Sequence, residues 1–131
     1  MKKITSLFLS IMLLFSLTSC GQTSNSSTIP NQIIIGSIYN SYIKTIDNAQ
    51  EIEKLWNSYK SLKLEKTDAE LELSSVYTID FLFSGKNTSE RVLLDKNGTL
   101  WVNGDTQSYA QTENVLNYTE IKSIFENQKG K

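Results

Sequence analysis

The chain has 131 residues, 13 of them basic and 14 acidic for a net charge of −1, with no histidine and one cysteine. That length holds one ordinary domain rather than two, and the charge balance, with Arg91 as the only arginine and no basic cluster, excludes nucleic acid as a partner. Without imidazole there is no Ser-His-Asp or Cys-His nucleophile system and no zinc site built on histidine.

Lys2 and Lys3 give the chain a positive start, residues 4–17 form an apolar run, and Leu17-Thr18-Ser19 lead into Cys20. This is the layout of a secretory signal peptide whose boundary residue is a thiol. The apolar run is shorter than the ~20 residues a membrane-spanning helix needs, and Thr5, Ser6, Ser10 and Ser16 interrupt it. Leu17-Thr18-Ser19-Cys20 resembles the lipobox of bacterial lipoproteins, and the resemblance implies cleavage before Cys20 and a diacylglyceryl group on its sulfur. Each buried methylene contributes ~0.8 kcal/mol, so two chains hold a protein on a membrane where one would not. The expected product is anchored at the outer face of the cytoplasmic membrane, with no part spanning it. Losing Lys2 and Lys3 leaves 11 basic against 14 acidic residues, a net charge of −3.

Three segments follow: a signal peptide at 1–19, a lipidated cysteine with a flexible tether at 20–31, and one globular domain at 32–131. Gly21 to Asn31 is rich in Ser, Thr and Asn and contains the only proline, so it buries too little apolar surface to offset its ordering entropy. As a coil it spans about 18 Å and reaches about 38 Å when stretched.

Ile33 to Ile35 and Ser37 to Ile46 are rich in strand formers, with Gly36 between them as a bend or bulge, and predict two short strands or one broken strand. Asp47 and Gln50 have the spacing of a capping box. Behind them Ile52, Leu55, Trp56, Tyr59 and Leu62 repeat at helical steps, predicting a helix over about 47–62. Residues 63–74 fit either a frayed helix end or a packed loop. Val76 to Phe83 and Glu90 to Asp95 read as strands, separated by the turn cluster Ser84-Gly85-Lys86-Asn87-Thr88.

Asn97-Gly98 predicts a type I′ hairpin in which Lys96 pairs with Thr99. That register sets Leu94 opposite Trp101 and Leu93 opposite Val102, with Val92, Leu94 and Trp101 sharing one face. Gln107 to Thr112 reads as a short polar edge strand. Asn117 to Glu120 resembles a second capping box, and Ile121, Ile124 and Phe125 make the stripe of a helix over about 118–128. The expected fold is α+β: an antiparallel meander of four to five strands with both helices on one face. The other face is either covered by the N-terminal strands or open as a surface.

Ser41-Tyr42-Ile43-Lys44 has the Ser-x-x-Lys spacing of penicillin-recognising enzymes, but in a strand the two side chains point apart and the partner motifs are missing. Asp95-Lys96-Asn97-Gly98 begins like a calcium loop, yet its glycine comes at the fourth position and Thr106 stands where the closing glutamate belongs. Asp80 falls on a half-exposed strand face and is expected to be solvated or paired with Arg91. No catalytic residue, metal ligand or cofactor is therefore assigned.

Trp101, with Tyr109 and Leu94, is the candidate binding surface on the second sheet face, and burial under the N-terminal strands is the competing arrangement. In layout the chain resembles small bacterial lipoproteins of the low-GC Gram-positive type, in which a lipobox and tether precede an α+β domain without assigned activity. The expectation is a membrane-anchored, extracytoplasmic, non-enzymatic module that binds an envelope protein or small ligand. The alternative is a hydrolase or metal-dependent enzyme working through Asp80, Asp95 and Asp105.

Overall fold

The computed structural model describes residues 29–85, 88–113 and 116–127. The signal segment, Cys20 and all but the end of the tether lie outside these residues, as do Lys86 and Asn87 and position 128, the expected end of the second helix. In chain order the elements are β1 (Gln32–Ser37), β2 (Asn40–Ile46), α1 (Ala49–Lys60), β3 (Lys63–Lys66), β4 (Tyr77–Leu82), β5 (Ser89–Leu94), β6 (Leu100–Val102), β7 (Tyr109–Glu113) and α2 (Tyr118–Glu126). A short 3₁₀ turn, Leu73–Ser75, precedes β4.

The class is α+β, but the described strands number seven and join one antiparallel sheet in the order β2-β1-β4-β5-β6-β7-β3. The meander β4 to β7 is the part that turn chemistry foretold. Its extensions come from both sides. The β1–β2 hairpin docks through β1 onto β4, and β3 pairs with β7, so β7 is an interior strand and β3 the edge. Lys63-Leu64-Glu65-Lys66 is too short to show a period, and only its pairing partner makes it a strand.

The helices form where short polar side chains satisfy their first N–H groups. For α1 the cap is Asn48 rather than Asp47: its Oδ1 accepts from the N–H of Gln50 and Glu51 at 3.0 and 3.1 Å. For α2 the expected cap holds, Asn117 Oδ1 accepting from Glu120 N–H at 3.1 Å. Ile52, Leu55 and Trp56 of α1 and Ile121 and Phe125 of α2 join Ile33, Ile35, Ile46, Tyr77, Ile79, Phe81, Val92, Leu94 and Leu100 of the sheet in one core.

Rings fix the two contact regions. Phe81 lies 5.1 Å from Trp56 and 4.9 Å from Tyr59, whereas Tyr77 lies 5.1 Å from Phe125 and 5.4 Å from Tyr118. An ion pair between Lys54 and Glu120 joins the helices across 66 positions of sequence.

The β5–β6 hairpin departs from the expected register by one residue. Asp95 N–H donates to Thr99 C=O at 3.1 Å, and Val92 pairs with Val102, Leu93 with Trp101 and Leu94 with Leu100. The cause is the Asp95 side chain, whose Oδ1 accepts from the N–H of both Asn97 and Thr99 at 2.9 Å. It closes a three-residue loop with Gly98 at φ 81°, in place of a two-residue turn in which Asn97 would also have positive φ. Since side chains alternate, that one residue moves Trp101 to the face opposite Leu94.

Candidate functional site

The sheet has one face under the helices and one without them. Pairing across β2, β1, β4, β5 and β6 aligns Ile43, Gly36, Thr78, Leu93 and Trp101 in one row of the helix-free face. A parallel row carries Thr45, Ile34, Asp80 and Arg91. The N-terminal strands widen the sheet and do not lie over it, so Trp101 is not buried beneath them. Gly36 fits its place because a Cβ there would stand 2.8 Å from Thr78 Oγ1.

The segment that sequence left undecided partly covers this face. Leaving β3 at one edge, residues 67–72 must pass β7, β6 and β5 to reach β4. They are pinned at both ends: Thr67 N–H donates to Ser108 C=O at 3.0 Å and Glu72 N–H to Asp95 Oδ2 at 2.9 Å. Between the pins, Asp68, Glu70 and buried Leu71 border a groove of about 430 Å³ together with Trp101, Gln107 and Ser108. Trp101 is half-buried, and its indole Nε1–H donates to Ser108 Oγ at 2.9 Å, which fixes the ring. Gln107 Nε2 donates to Thr67 C=O at 3.3 Å and to Ser108 C=O at 2.9 Å, bracing the wall opposite.

The three residues expected to form a surface do not come together. Leu94 has no solvent exposure and belongs to the core. Tyr109 pairs with Leu100 and packs against the same core, with its hydroxyl donating to Asp105 Oδ2 at 3.3 Å. Burial, then the Asp105 carboxylate, raises the Tyr109 phenol above its ordinary value. Trp101 alone lies on the helix-free face, and its neighbours Leu71, Gln107 and Ser108 were not foreseen. The only signal for them was the loop itself, whose path depends on β3 being at the far edge.

The carboxylates of the enzymatic alternative are engaged separately. Asp80 stands opposite Arg91 in the β4–β5 register and receives a bidentate pair from it, Nε to Oδ1 at 2.6 Å and Nη2 to Oδ2 at 2.9 Å, the second of the two arrangements expected for it. Asp95 is fully buried and its two oxygens accept three backbone N–H groups. Asp105 Oδ1 accepts from Gln107 N–H at 3.0 Å in the β6–β7 turn. Among the described residues, no three Asp or Glu side chains gather as a metal site would require. Ser41 and Lys44 lie on strand β2, so no helix aligns them.

Phenols and acids elsewhere follow their surroundings. Burial, then the Glu90 carboxylate, raises Tyr59 well above the usual phenol range. A hydrogen bond from Lys96 holds Glu72 below the usual carboxylate value, and Asn97 Nδ2 adds a bond to Glu72 Oε2 at 3.1 Å. No helix of the described residues is long and apolar enough to cross a membrane.

No family model matches the chain, and no curated protein or solved structure shows significant similarity to it.

Proposed function

We propose that the protein is a lipid-anchored, extracytoplasmic binding module, held on the outer face of the cytoplasmic membrane through Cys20 and contacting an envelope protein or small ligand without catalysing a reaction. The anchor reading rests on the sequence from Lys2 to Cys20. The binding reading rests on one observation: a half-buried tryptophan borders a groove on a sheet face that the helices leave free. Tryptophan in a partly desolvated recess is the residue type that most often dominates binding energy. The hydrogen bond to Ser108 holds the ring, so little ordering entropy is lost when a ligand meets it.

The test uses the chain from Gly21 onward, which contains every core residue. Its binding to fractionated envelope extract is compared with that of Trp101→Ala and of Glu70→Lys, an exposed substitution at the groove rim. Both are expected to lower affinity, Trp101→Ala by about tenfold or more, while circular dichroism reports a folded domain. Equal binding by all three chains rejects the groove. Mass spectrometry of the native protein reads the N-terminus, and a chain that retains Met1 rejects the anchor.

A further inference from the structure

Six large apolar side chains are well exposed among the described residues, and four of them, Ile38, Tyr39, Tyr42 and Ile43, belong to the β1–β2 hairpin. Ile38 and Tyr39 form its two-residue tip, closed by the pairing of Ser37 with Asn40. The register shift between Gly36 and Ser37 lets β2 carry Ser41 and Tyr42 as extra residues behind the tip, a bulge of the kind that re-aims side chains. Exposure rises to 67% at Tyr39 and is 55% at Ile43. From Ser37 to Ile43 there is no charge, and Lys44 follows at the base. An uncharged end bearing aliphatic and tyrosine side chains, with a lysine behind it, has the composition of a membrane-interface contact.

The position of the anchor says which surface can meet it. Eight residues lie between Cys20 and Ile29, the first described residue, and the nine steps from one to the other reach about 30 Å when extended. The tip lies one strand beyond the tether's entry, and β1, with six residues, is about 20 Å long. A chain held at Cys20 can therefore lay the hairpin on the same membrane, at an effective concentration that makes a weak contact count. We propose that the β1–β2 tip, Ile38 and Tyr39 with Ile43 behind them, inserts into the lipid headgroup region as a second, non-covalent membrane contact, while Tyr42, whose ring stands 5.4 Å from that of Phe125, holds the hairpin to α2. This rests on the anchored reading above and adds the bilayer itself as a partner of the folded domain. With the hairpin fixed on the membrane, the Trp101 groove is presented in a restricted orientation rather than swinging on its tether.

The test supplies the anchor chemically, so that it does not depend on lipidation in the cell. The chain from Cys20 onward is coupled through that thiol, its only one, to maleimide lipid in vesicles of phosphatidylethanolamine and phosphatidylglycerol. Hydrogen exchange is then compared with that of the uncoupled chain in solution. The expected result is slower exchange confined to 37–43, with 67–72 unchanged. Equal exchange at 37–43 overturns the proposal, and so does slowing that grows with protein concentration in the absence of vesicles, since a second copy would then be the partner. Separately, the uncoupled Ile38→Ser/Tyr39→Ser variant is expected to partition onto the same vesicles about tenfold more weakly than the parent chain. Unchanged partitioning also overturns it. If native Cys20 proves unmodified while coupled vesicles still protect the tip, the anchor reading fails and the insertion stands.

Discussion

Asp95 Oδ2 accepts the backbone N–H of Glu72 at 2.9 Å, so a carboxylate with no solvent exposure ties the β5–β6 loop to the segment that crosses the helix-free face. The same side chain closes its own loop through Asn97 and Thr99. Loop register, strand face and the wall of the groove therefore share one residue.

Replacing that carboxylate tests the arrangement. Three N–H donors converge on its two oxygens, whereas an amide offers one oxygen and turns a donor toward the remaining N–H. Asp95→Asn is expected to cost about 1–3 kcal/mol of stability, and Asp95→Ala more, since every donor then loses its partner. Urea unfolding monitored by tryptophan fluorescence measures both.

The neighbouring glycine carries the conformational part of the same loop. Gly98 has φ 81°, and a Cβ there would stand 3.7 Å from Gln111 Nε2, so space is adequate and the backbone is the obstacle. Gly98→Ala is expected to lose about 1–2 kcal/mol, with Gly98→Asn milder because asparagine tolerates the left-handed region. Denaturant midpoints of the two variants give the comparison.

Alkali should unfold the domain earlier than charge repulsion alone would. Burial is the leading cause that raises the phenols of Tyr59, Tyr77, Tyr109 and Tyr118. In the unfolded chain these groups ionise near pH ~10, while the folded chain retains their protons to higher pH. Their contribution is thus complete below about pH 10 and is lost as the pH rises through the folded values. Denaturant midpoints are expected to fall steeply above about pH 10, with tyrosinate absorbance lagging that of a urea-unfolded sample.

Helix caps give a third readout of local structure. Asn48→Ala and Asn117→Ala should each cost about 1 kcal/mol, whereas Asp47→Ala, one position from the observed cap, should change stability by less than about 0.5 kcal/mol. Thermal unfolding of the three variants distinguishes the two placements of the first cap.

The α+β class, both helices, the turn-linked strands from β4 to β7 and the cap at Asn117 were legible in the sequence, and the Asp80–Arg91 pair was one of two arrangements it left open. Each is written locally, in a helical period, a turn dipeptide or a cross-strand alternation spanning a few residues. The Leu17 to Cys20 motif is local too, and the proposed anchor rests on it alone, outside the described residues.

Tertiary structure decided the rest. Four residues, Lys63 to Lys66, became a strand only because β7 offered an unpaired edge, and that placement sent 67–72 across the sheet to make the groove. The register at Asn97-Gly98 was chosen by Asp95, whose carboxylate gained bonds from both its own loop and Glu72. That choice separated Trp101 from Leu94 and Tyr109. A strand's neighbours and a buried carboxylate's donors lie tens of residues away along the chain, and no local pattern encodes which of them will arrive.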